Sequence, residues 1–275
     1  MNNLSGSILG CGWLGLPLAK KLVADGFKIK ASKTNSQDFD SLKSFGISPF
    51  VIELTPEKSV GNFESFLKEA SFLIIDIPPG LRNITNDTDS FINKIKHCIP
   101  FIEASSVKQV VFISSTSVYG DSENYLENTT ENTAVNPDSE SGRQLVLVEK
   151  LLLENLNFKT TILRFGGLIG PNRNPIKYLA GKKNVANPYA PINFIHQEDC
   201  IEIIRKMVSN SPSENRIFNA VAPFHPTRKN YYKEKAKEEN LEIPEFDTVK
   251  KSIGKKISSQ KLQSNLDYTF MHSSL

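Results

Sequence analysis

The sequence predicts an α/β fold built on a doubly wound parallel sheet, with a small lobe formed by the last part of the chain. A short apolar run, Ser7 to Leu9, leads into a glycine cluster, and apolar residues then return at helical spacing. Further short apolar runs alternate with helical patterns, as expected for successive βα units. The length of 275 residues suits one large domain, or a domain with a small lobe, with an ample core.

The glycine cluster predicts a phosphate-binding turn between the first strand and the first helix. Gly10, Gly12 and Gly15 form the pattern G-x-G-x-x-G. Gly10 permits the sharp turn, Gly12 lets a pyrophosphate approach the backbone, and Gly15 lets the helix pack closely on the sheet. The unpaired N–H groups and the positive end of the helix dipole favour an anion there. We expect a dinucleotide site; the alternative is a similar unit whose nucleotide site is empty or reused.

The residues after the second strand, 27–32, bear on the choice of cofactor. NAD sites usually place an acidic residue about twenty residues after the glycines, whereas NADP sites use a cation and small hydroxyls. Ser32, Lys33 and Thr34 could all donate to a 2′-phosphate, and the first carboxylate is Asp38. We therefore favour NADP over NAD; the alternative is that Lys33 simply faces solvent.

The remaining pattern places strands and helices in alternation. Strands are expected at 50–54, 72–77, 109–113, 159–165 and 217–221. Helices are expected at 62–70, 87–105, 142–156, 198–209 and 228–240. Ligands gather at the carboxyl ends of parallel strands, so Pro78, directly after strand 72–77, is expected in one wall of the cofactor groove.

Three later motifs carry a family resemblance. They are Ser114 to Gly120 (SSTSVYG), Arg164 to Pro171 (RFGGLIGP) and Asn193 to Asp199 (NFIHQED). In their order and spacing the chain resembles the extended short-chain dehydrogenases/reductases, the NAD(P)-dependent epimerase/dehydratase group that includes nucleotide-sugar enzymes. The resemblance covers nearly the whole chain.

The resemblance implies a division of labour along the chain. Residues 1–170, rejoined by about 191–222, would form a Rossmann domain that binds the dinucleotide. Residues 171–190 and 223–275 would form a small substrate-side lobe. The side chains and backbone expected at the cofactor are Gly10, Gly12, Trp13, Leu14, Gly15, Ser32, Lys33, Thr34, Pro78 and Ser114.

The chain departs from the family pattern where the family carries its catalytic Tyr-x-x-x-Lys pair. Ser141 stands at the position of the tyrosine and Leu145 at that of the lysine, and Leu9 replaces the first glycine of the family's opening motif. Residues i and i+4 share a helix face, which is how the lysine can hold a ribose and lower the pKa of the tyrosine. We therefore do not expect the usual tyrosine-dependent chemistry.

Four residues are candidates for the catalytic site. Ser115 matches the family's substrate-orienting hydroxyl, and Tyr119, Ser141 and Arg143 are groups that could take over proton transfer or bind an anion. The resemblance implies hydride transfer at the nicotinamide, with the proton passing through one of these groups or through water. Each also has a structural interpretation; Tyr119 belongs to a turn, and Glu149, a further nearby group, could face solvent.

The region after Gly170 offers charged groups of a different kind. Arg173 is the one best placed to meet an anionic substrate, or it is an ordinary surface arginine. His196 is expected to hydrogen-bond backbone just before helix 198–209, and Asp199 to cap the start of that helix.

The net charge, hydropathy and cysteine content argue against several classes of protein. A net charge of +3 is too small to argue for nucleic acid or a membrane surface, and no apolar run approaches a membrane span. The three cysteines lack metal or disulfide spacing, which suits a reducing cytosol, and no signal peptide or metal site is expected.

Two functions remain in view. The first is a cytoplasmic NAD(P)-dependent oxidoreductase or epimerase-like enzyme with an atypical active site, acting on a sugar nucleotide or a carbonyl compound. The alternative is a non-catalytic protein that senses NADP(H). The sequence leaves the oligomeric state open, and a homodimer is one of the states that it allows.

Overall fold

The structure is a computed structural model that describes residues 4–80, 89–210 and 212–274. In chain order its strands are β1 (Ser5–Leu9), β2 (Lys28–Lys33), β3 (Ser48–Leu54), β4 (Ser59–Gly61), β5 (Phe72–Ile75), β6 (Gln109–Ser115), β7 (Asn128–Thr129), β8 (Lys159–Phe165), β9 (Gly167–Ile169), β10 (Phe194–His196), β11 (Arg216–Ala220) and β12 (Lys256–Ile257). Its helices are α1 (Gly15–Ala24), α2 (Phe39–Ser44), α3 (Phe63–Leu67), α4 (Ser90–Glu103), α5 (Glu140–Leu153), α6 (Gln197–Val208), α7 (Arg228–Glu238) and α8 (Gln260–Leu266).

The main sheet has the predicted doubly wound topology. Its eight strands lie in the order β11-β8-β6-β5-β1-β2-β3-β4. From β1 the chain moves outward through β2 and β3, and it then returns to the other side of β1 with β5 and continues outward. The pairs of β1 with β2 and with β5 are parallel, and β4 closes one edge as an antiparallel strand on β3. The strand order therefore reverses between β1 and β5, the place where such sheets bind ligands.

Burial explains why these short segments form strands. All four residues of β5 are buried, as are the last four of β1. A parallel strand covered on both faces reads as a continuous apolar run, and β5 (FLII) has that pattern. β1 (SGSIL) ends in the apolar Ile8 and Leu9, and its buried Ser7 donates a hydrogen bond to the Phe66 carbonyl at 2.6 Å.

Most expected elements are confirmed, with shifted ends. Strand 159–165 has the predicted bounds. The expected helix 62–70 is shorter, because Asn62 caps it by accepting a hydrogen bond from the Ser65 N–H at 2.9 Å and Glu69 takes a left-handed φ of 59°. The first two residues of the expected helix 87–105 lie outside the described residues. The short strands β4, β7, β9, β10 and β12 were not predicted.

Backbone contacts divide the chain into two units. The first contains the residues up to Ser115, 139–164 and 201–217; the second contains 116–138, 165–200 and the residues from Phe218 onward. The expected lobe segments, 171–190 and 223–275, fall within the second unit, which also takes 116–138, 165–170, 191–200 and 218–222 from the expected Rossmann domain. A core cluster of this unit consists of Ile176, Ile192, Tyr231, Tyr232 and Ala236.

Among the helices of residues 4–80, 89–210 and 212–274, none is both long enough and apolar enough to span a membrane.

Candidate functional site

A cavity of about 310 Å³ opens in the first unit beside the turn that follows β1. It lies at the switch point between β1 and β5, at the carboxyl ends of these parallel strands. Its walls are formed by Leu9, Gly10, Cys11, Gly12, Ser32, Lys33, Thr34, Ile52, Leu54, Ile77, Pro78 and Lys94. This set contains six of the ten residues expected at a cofactor.

The three motif glycines have two different roles in this turn. Gly10 has a φ of +108°, and a Cβ on it would collide with the carbonyl oxygen of Asp76. A Cβ on Gly15 would collide with the carbonyl oxygen of Gly10, so these two glycines allow the backbone to fold back on itself. At Gly12, by contrast, a Cβ would meet no described atom within 4 Å. The open side of Gly12 is the space that a pyrophosphate needs when it approaches a backbone closely.

The start of α1 suits an anion. Its first turn carries no acidic residue of its own, and the residue at the N-cap position, Leu14, has no polar side chain with which to cap it. One carboxylate does lie nearby, because a Cβ on Gly15 would be 3.2 Å from an Asp76 oxygen. Leu16 donates its N–H to the Gly12 carbonyl at 3.0 Å and Pro17 has no N–H, so the dipole of this ten-residue helix is what favours a negatively charged group here. Because the Leu14 side chain is buried, only its main chain could contact a ligand; Trp13 is half-buried.

The end of β2 holds the glycine turn in place. The buried Ser32 hydroxyl accepts a hydrogen bond from the Gly10 N–H at 3.0 Å, and its carbonyl accepts one from the Cys11 N–H at 2.9 Å. Lys33 Nζ lies 2.8 Å from a carboxylate oxygen of Asp38. Thr34 is exposed. The expected cation of an NADP site is therefore present but already paired with a carboxylate.

Six of the wall residues were not among those expected at the cofactor. They include Lys94, which no local motif marks, and Cys11, which lies inside the glycine motif. Lys94 reaches the cavity from α4 and adds a cation to it. Cys11 also lines the cavity, and burial raises the pKa of its thiol to about 11. At neutral pH this cysteine is a thiol and a poor nucleophile.

Ser114 and Ser115 end β6, and Ser114 belongs to a buried polar network. Its hydroxyl donates a hydrogen bond to the Glu149 carboxylate at 2.6 Å. The same carboxylate accepts from the Arg164 guanidinium, whose closest nitrogen lies 2.6 Å away. The side chains of this ion pair are 4% and 5% exposed. The alternative in which Glu149 faces solvent is therefore wrong. The Ser114 hydroxyl is committed to this network, and Ser115 is half-buried.

Helix α5 carries Ser141 and Leu145 one turn apart. Ser139 caps the helix by accepting from the Gly142 N–H at 3.1 Å, which starts it just before Ser141. Leu145 is buried, and Ser141 is half-buried.

Arg143, on the first turn of α5, already binds carboxylates. Its Nε and one terminal nitrogen lie 2.8 and 2.7 Å from Glu140, and the same terminal nitrogen lies 3.1 Å from Asp89. These hydrogen bonds raise the pKa of Arg143 and lower that of Glu140. An anionic ligand would have to compete with both carboxylates.

Tyr119 lies in the second unit, whereas Ser115, Ser141 and Arg143 lie in the first. Its side chain is 2% exposed, and its hydroxyl donates to Asn219 Oδ1 at 2.9 Å. This contact gives the phenol a structural role in the turn.

The second unit has a cavity of its own, of about 270 Å³. Two cations, Arg228 and Lys255, line it. Lys255 Nζ lies 2.7 Å from Asp121. The buried Nε of Arg228 has no hydrogen-bond partner among the described residues. Asp121 lines the same cavity, so Arg228 is the cation in it that has no carboxylate partner among the described residues.

The motif that contains His196 gives one confirmed expectation and one correction. His196 Nδ1 accepts from the Glu198 N–H at 3.3 Å, which confirms that it bonds backbone at the start of α6. Asp199 does not serve that helix start. It is fully buried and accepts from the Tyr268 hydroxyl at 2.6 Å, the Met271 N–H at 2.8 Å and the His272 N–H at 3.2 Å. The prediction was wrong because these partners lie some seventy residues away in sequence.

Comparisons with known proteins agree with this geometry. The family model described as "NAD dependent epimerase/dehydratase family" matches residues 12–220. Protein YeeZ of Escherichia coli K12 is 30% identical over 268 residues, which cover 97% of this chain and 95% of that protein.

Solved structures show the same fold at low sequence identity. A putative NAD-dependent epimerase/dehydratase from Methylobacillus flagellatus has a TM-score of 0.80 at 21% identity, covering 99% of this chain and 95% of that one. MoeE5, solved in complex with UDP-glucuronic acid and NAD, has a TM-score of 0.79 at 17% identity, covering 97% and 93%. A UDP-glucose 4-epimerase from Thermotoga maritima, solved with UDP-glucose, has a TM-score of 0.77 at 14% identity, covering 98% and 94%.

Proposed function

The chain belongs to the NAD-dependent epimerase/dehydratase family, and from this premise we propose that it binds a nicotinamide dinucleotide, NADP in preference to NAD, and acts as an epimerase/dehydratase- or reductase-like enzyme on a small anionic molecule. The observation that carries the proposal is the open side of Gly12, at the switch point of the sheet and next to the start of α1.

The residues of the first cavity fit such a cofactor. Gly10 and Gly15 form the turn, and the backbone of the turn together with the dipole of α1 would bind the pyrophosphate across Gly12. Pro78 and the apolar residues of the wall would cover the adenosine side. Lys94 supports the same role, because its charge favours a phosphate in the cavity.

The preference for NADP depends on Lys33 and Asp38. A 2′-phosphate at the end of β2 would take Lys33 from Asp38, and the exposed Thr34 would donate a further hydrogen bond. Exposed ion pairs are worth about 0.2–1 kcal/mol, so Asp38 is a weak competitor for a doubly charged phosphate. The same carboxylate would accept a ribose hydroxyl of NAD, which limits the preference.

We expect proton transfer to be the step in which this chain differs from its family. When bound, the cofactor supplies a hydride donor or acceptor. Ser115, at the end of β6, would orient a substrate hydroxyl, and Ser141 would relay a proton between that hydroxyl and solvent, since a serine is too weak an acid to supply it alone. Arg143 and Tyr119 are weaker candidates, because the structure already engages both side chains.

Within the second unit, considered by itself, the cavity beside Arg228 would suit a small anionic molecule. Arg228, with its unpartnered Nε, and Lys255 would bind phosphate or carboxylate oxygens, and the ring of Tyr232 lines the same cavity. Relatives of the same fold have been solved with UDP-sugars, which carry such a group. A sugar nucleotide is accordingly the substrate class to try first, followed by small carbonyl compounds.

Calorimetric titration with NADPH, NADP, NADH and NAD tests the cofactor assignment. We expect NADPH to bind more tightly than NADH. Lys33→Gln should lower the affinity for NADPH by about tenfold, the equivalent of roughly 1.4 kcal/mol. The affinity for NADH should stay nearly the same. Asp38→Asn is the matched control, because it also removes a charge at the end of β2, and it should raise the affinity for NADPH. Failure of all four nucleotides to bind would overturn the proposal.

Turnover is tested separately with UDP-sugars and small carbonyl compounds, following the absorbance of the reduced nicotinamide and the products by chromatography. Ser115→Ala should lower kcat without changing the affinity for NADPH. Tight binding of NADPH with no product from any substrate would favour the sensing alternative.

A further inference from the structure

A cluster of metal-ligating side chains lies in the second unit, apart from both cavities of the proposed function. His196, Glu198 and His272 each offer one ligand atom, and these atoms all lie within 4.8 Å of one another. His272 Nε2 lies 2.8 Å from Glu198 Oε2, and His196 Nδ1 lies 4.0 Å from the same oxygen. The two imidazole rings overlap, with centroids 3.7 Å apart.

The spacing of the ligand atoms suits a tetrahedral ion. Zinc binds histidine nitrogen and carboxylate oxygen at about 2.0–2.2 Å, so neighbouring ligands in a tetrahedral site are roughly 3.3 Å apart. The distances in the cluster fall on both sides of that value. Binding an ion would require rotation of these side chains. The ion would replace two hydrogen bonds, the one from the Glu198 N–H to His196 Nδ1 and the one between His272 and Glu198.

The backbone that carries these ligands is held from inside the protein. Asp199, next to Glu198, is fully buried, and its carboxylate accepts the main-chain N–H groups of Met271 and His272 and the hydroxyl of Tyr268. His272 is therefore fixed beside the start of α6 without an ion. A ligand set that is positioned before binding loses little conformational freedom on binding, which raises its affinity.

The cluster is also reachable from solvent. The side chain of Glu198 is 60% exposed and that of His272 is 35% exposed. His272 also lines a cavity of about 300 Å³ whose charged wall residues are Arg173, Lys235, Glu238 and Glu239. An ion with three protein ligands keeps a position open for water or an anion, and this cavity gives such a ligand room.

We propose that His196, Glu198 and His272 form a binding site for one divalent transition-metal ion of the zinc class, which ties the segment around His272 to the start of α6. The mixed imidazole and carboxylate set favours Zn²⁺, Co²⁺ or Ni²⁺ over Mg²⁺ or Ca²⁺, which prefer all-oxygen sites. The sequence predicted no metal site. His272 lies 74 residues from Glu198, and spacing along the chain does not show that the two side chains are close together.

The test is calorimetric titration of the full, tag-free protein with Zn²⁺, together with the visible absorption of bound Co²⁺. The wild type should bind one ion per chain, and Co²⁺ should give the intense absorption of a four- or five-coordinate site. His272→Gln and Glu198→Gln should each lower the affinity for Zn²⁺ by at least about tenfold and remove the absorption band of bound Co²⁺. His97→Gln, which removes a histidine from the first unit, is the matched control and should bind as the wild type does.

Two results would overturn the proposal. One is the absence of a one-to-one binding event in the wild type. The other is equal affinity in His97→Gln and His272→Gln. Circular dichroism of each variant shows whether it is folded, and Glu198→Gln, at an exposed position, provides a second variant if His272→Gln is not. Thermal unfolding adds an independent measure, since Zn²⁺ should raise the Tm of the wild type but not of Glu198→Gln.

Discussion

Adding a single methyl group at Gly12 should separate cofactor binding from folding. In the structure the Cβ of Gly12→Ala would meet no described atom within 4 Å, and Gly12 does not have a positive φ. The fold should accept this change, and the reduced freedom of the unfolded chain stabilises the protein by about 0.4–1 kcal/mol. The Tm should therefore stay the same or rise by roughly 2 °C.

The same methyl group should be costly for the cofactor. It would occupy the space in which we place the pyrophosphate, and it would lengthen at least one hydrogen bond from a backbone N–H to a phosphate oxygen. Such charge-assisted bonds are worth about 1.5–3 kcal/mol, so the Kd for NADPH should rise roughly 10- to 100-fold.

Gly15→Ala is the matched comparison. Its Cβ would collide with the carbonyl oxygen of Gly10, so the backbone of the turn must move. Overpacking of this kind costs about 1–3 kcal/mol, and the Tm should fall by roughly 2–6 °C. Calorimetry with NADPH and thermal unfolding by circular dichroism measure both effects. Wild-type affinity for NADPH in a folded Gly12→Ala protein would refute the placement of the pyrophosphate.

Three further predictions follow from buried groups. Glu149→Gln should leave the buried Arg164 guanidinium without its counter-charge, a loss of about 3–5 kcal/mol that lowers the Tm in a thermal melt; a Tm within a degree of wild type would contradict the buried pair. Tyr119→Phe should cost only about 1 kcal/mol, the value of one hydrogen bond, and leave turnover intact, whereas a large fall in kcat at unchanged Tm would place the phenol in the chemistry. Because burial raises the pKa of Cys11 from 9.0 to about 11, its thiolate should be about 100-fold scarcer at pH 8 than that of an unperturbed thiol; mass spectrometry should show slow alkylation by iodoacetamide in the folded protein and fast alkylation in urea.

The sequence was a good guide wherever neighbouring residues determine the structure. The glycine turn, the apolar strands and strand 159–165 depend on local pattern, and the structure has them where they were expected. The wall of the cofactor cavity was also foreseen for Gly10, Gly12 and Pro78, because ligands gather where parallel strands end.

The sequence was a poor guide wherever a side chain has a distant partner. Asp199 looks like a helix cap but binds Tyr268, Met271 and His272, which are distant in sequence. Glu149 looks like a surface residue of a helix, yet its partner Arg164 lies on β8 and the pair is buried. Such pairings depend on how elements pack together, and no spacing rule within one segment contains that information.

The interleaving of the two units has a consequence for how such a protein can change over time. Each unit is assembled from three separate stretches of the chain, so the polypeptide passes from one to the other five times. A single recombination event in the gene cannot exchange either unit as a whole. Exchange of a whole unit would need several crossovers at once, so substitutions within the existing stretches are the shorter route to a new ligand preference.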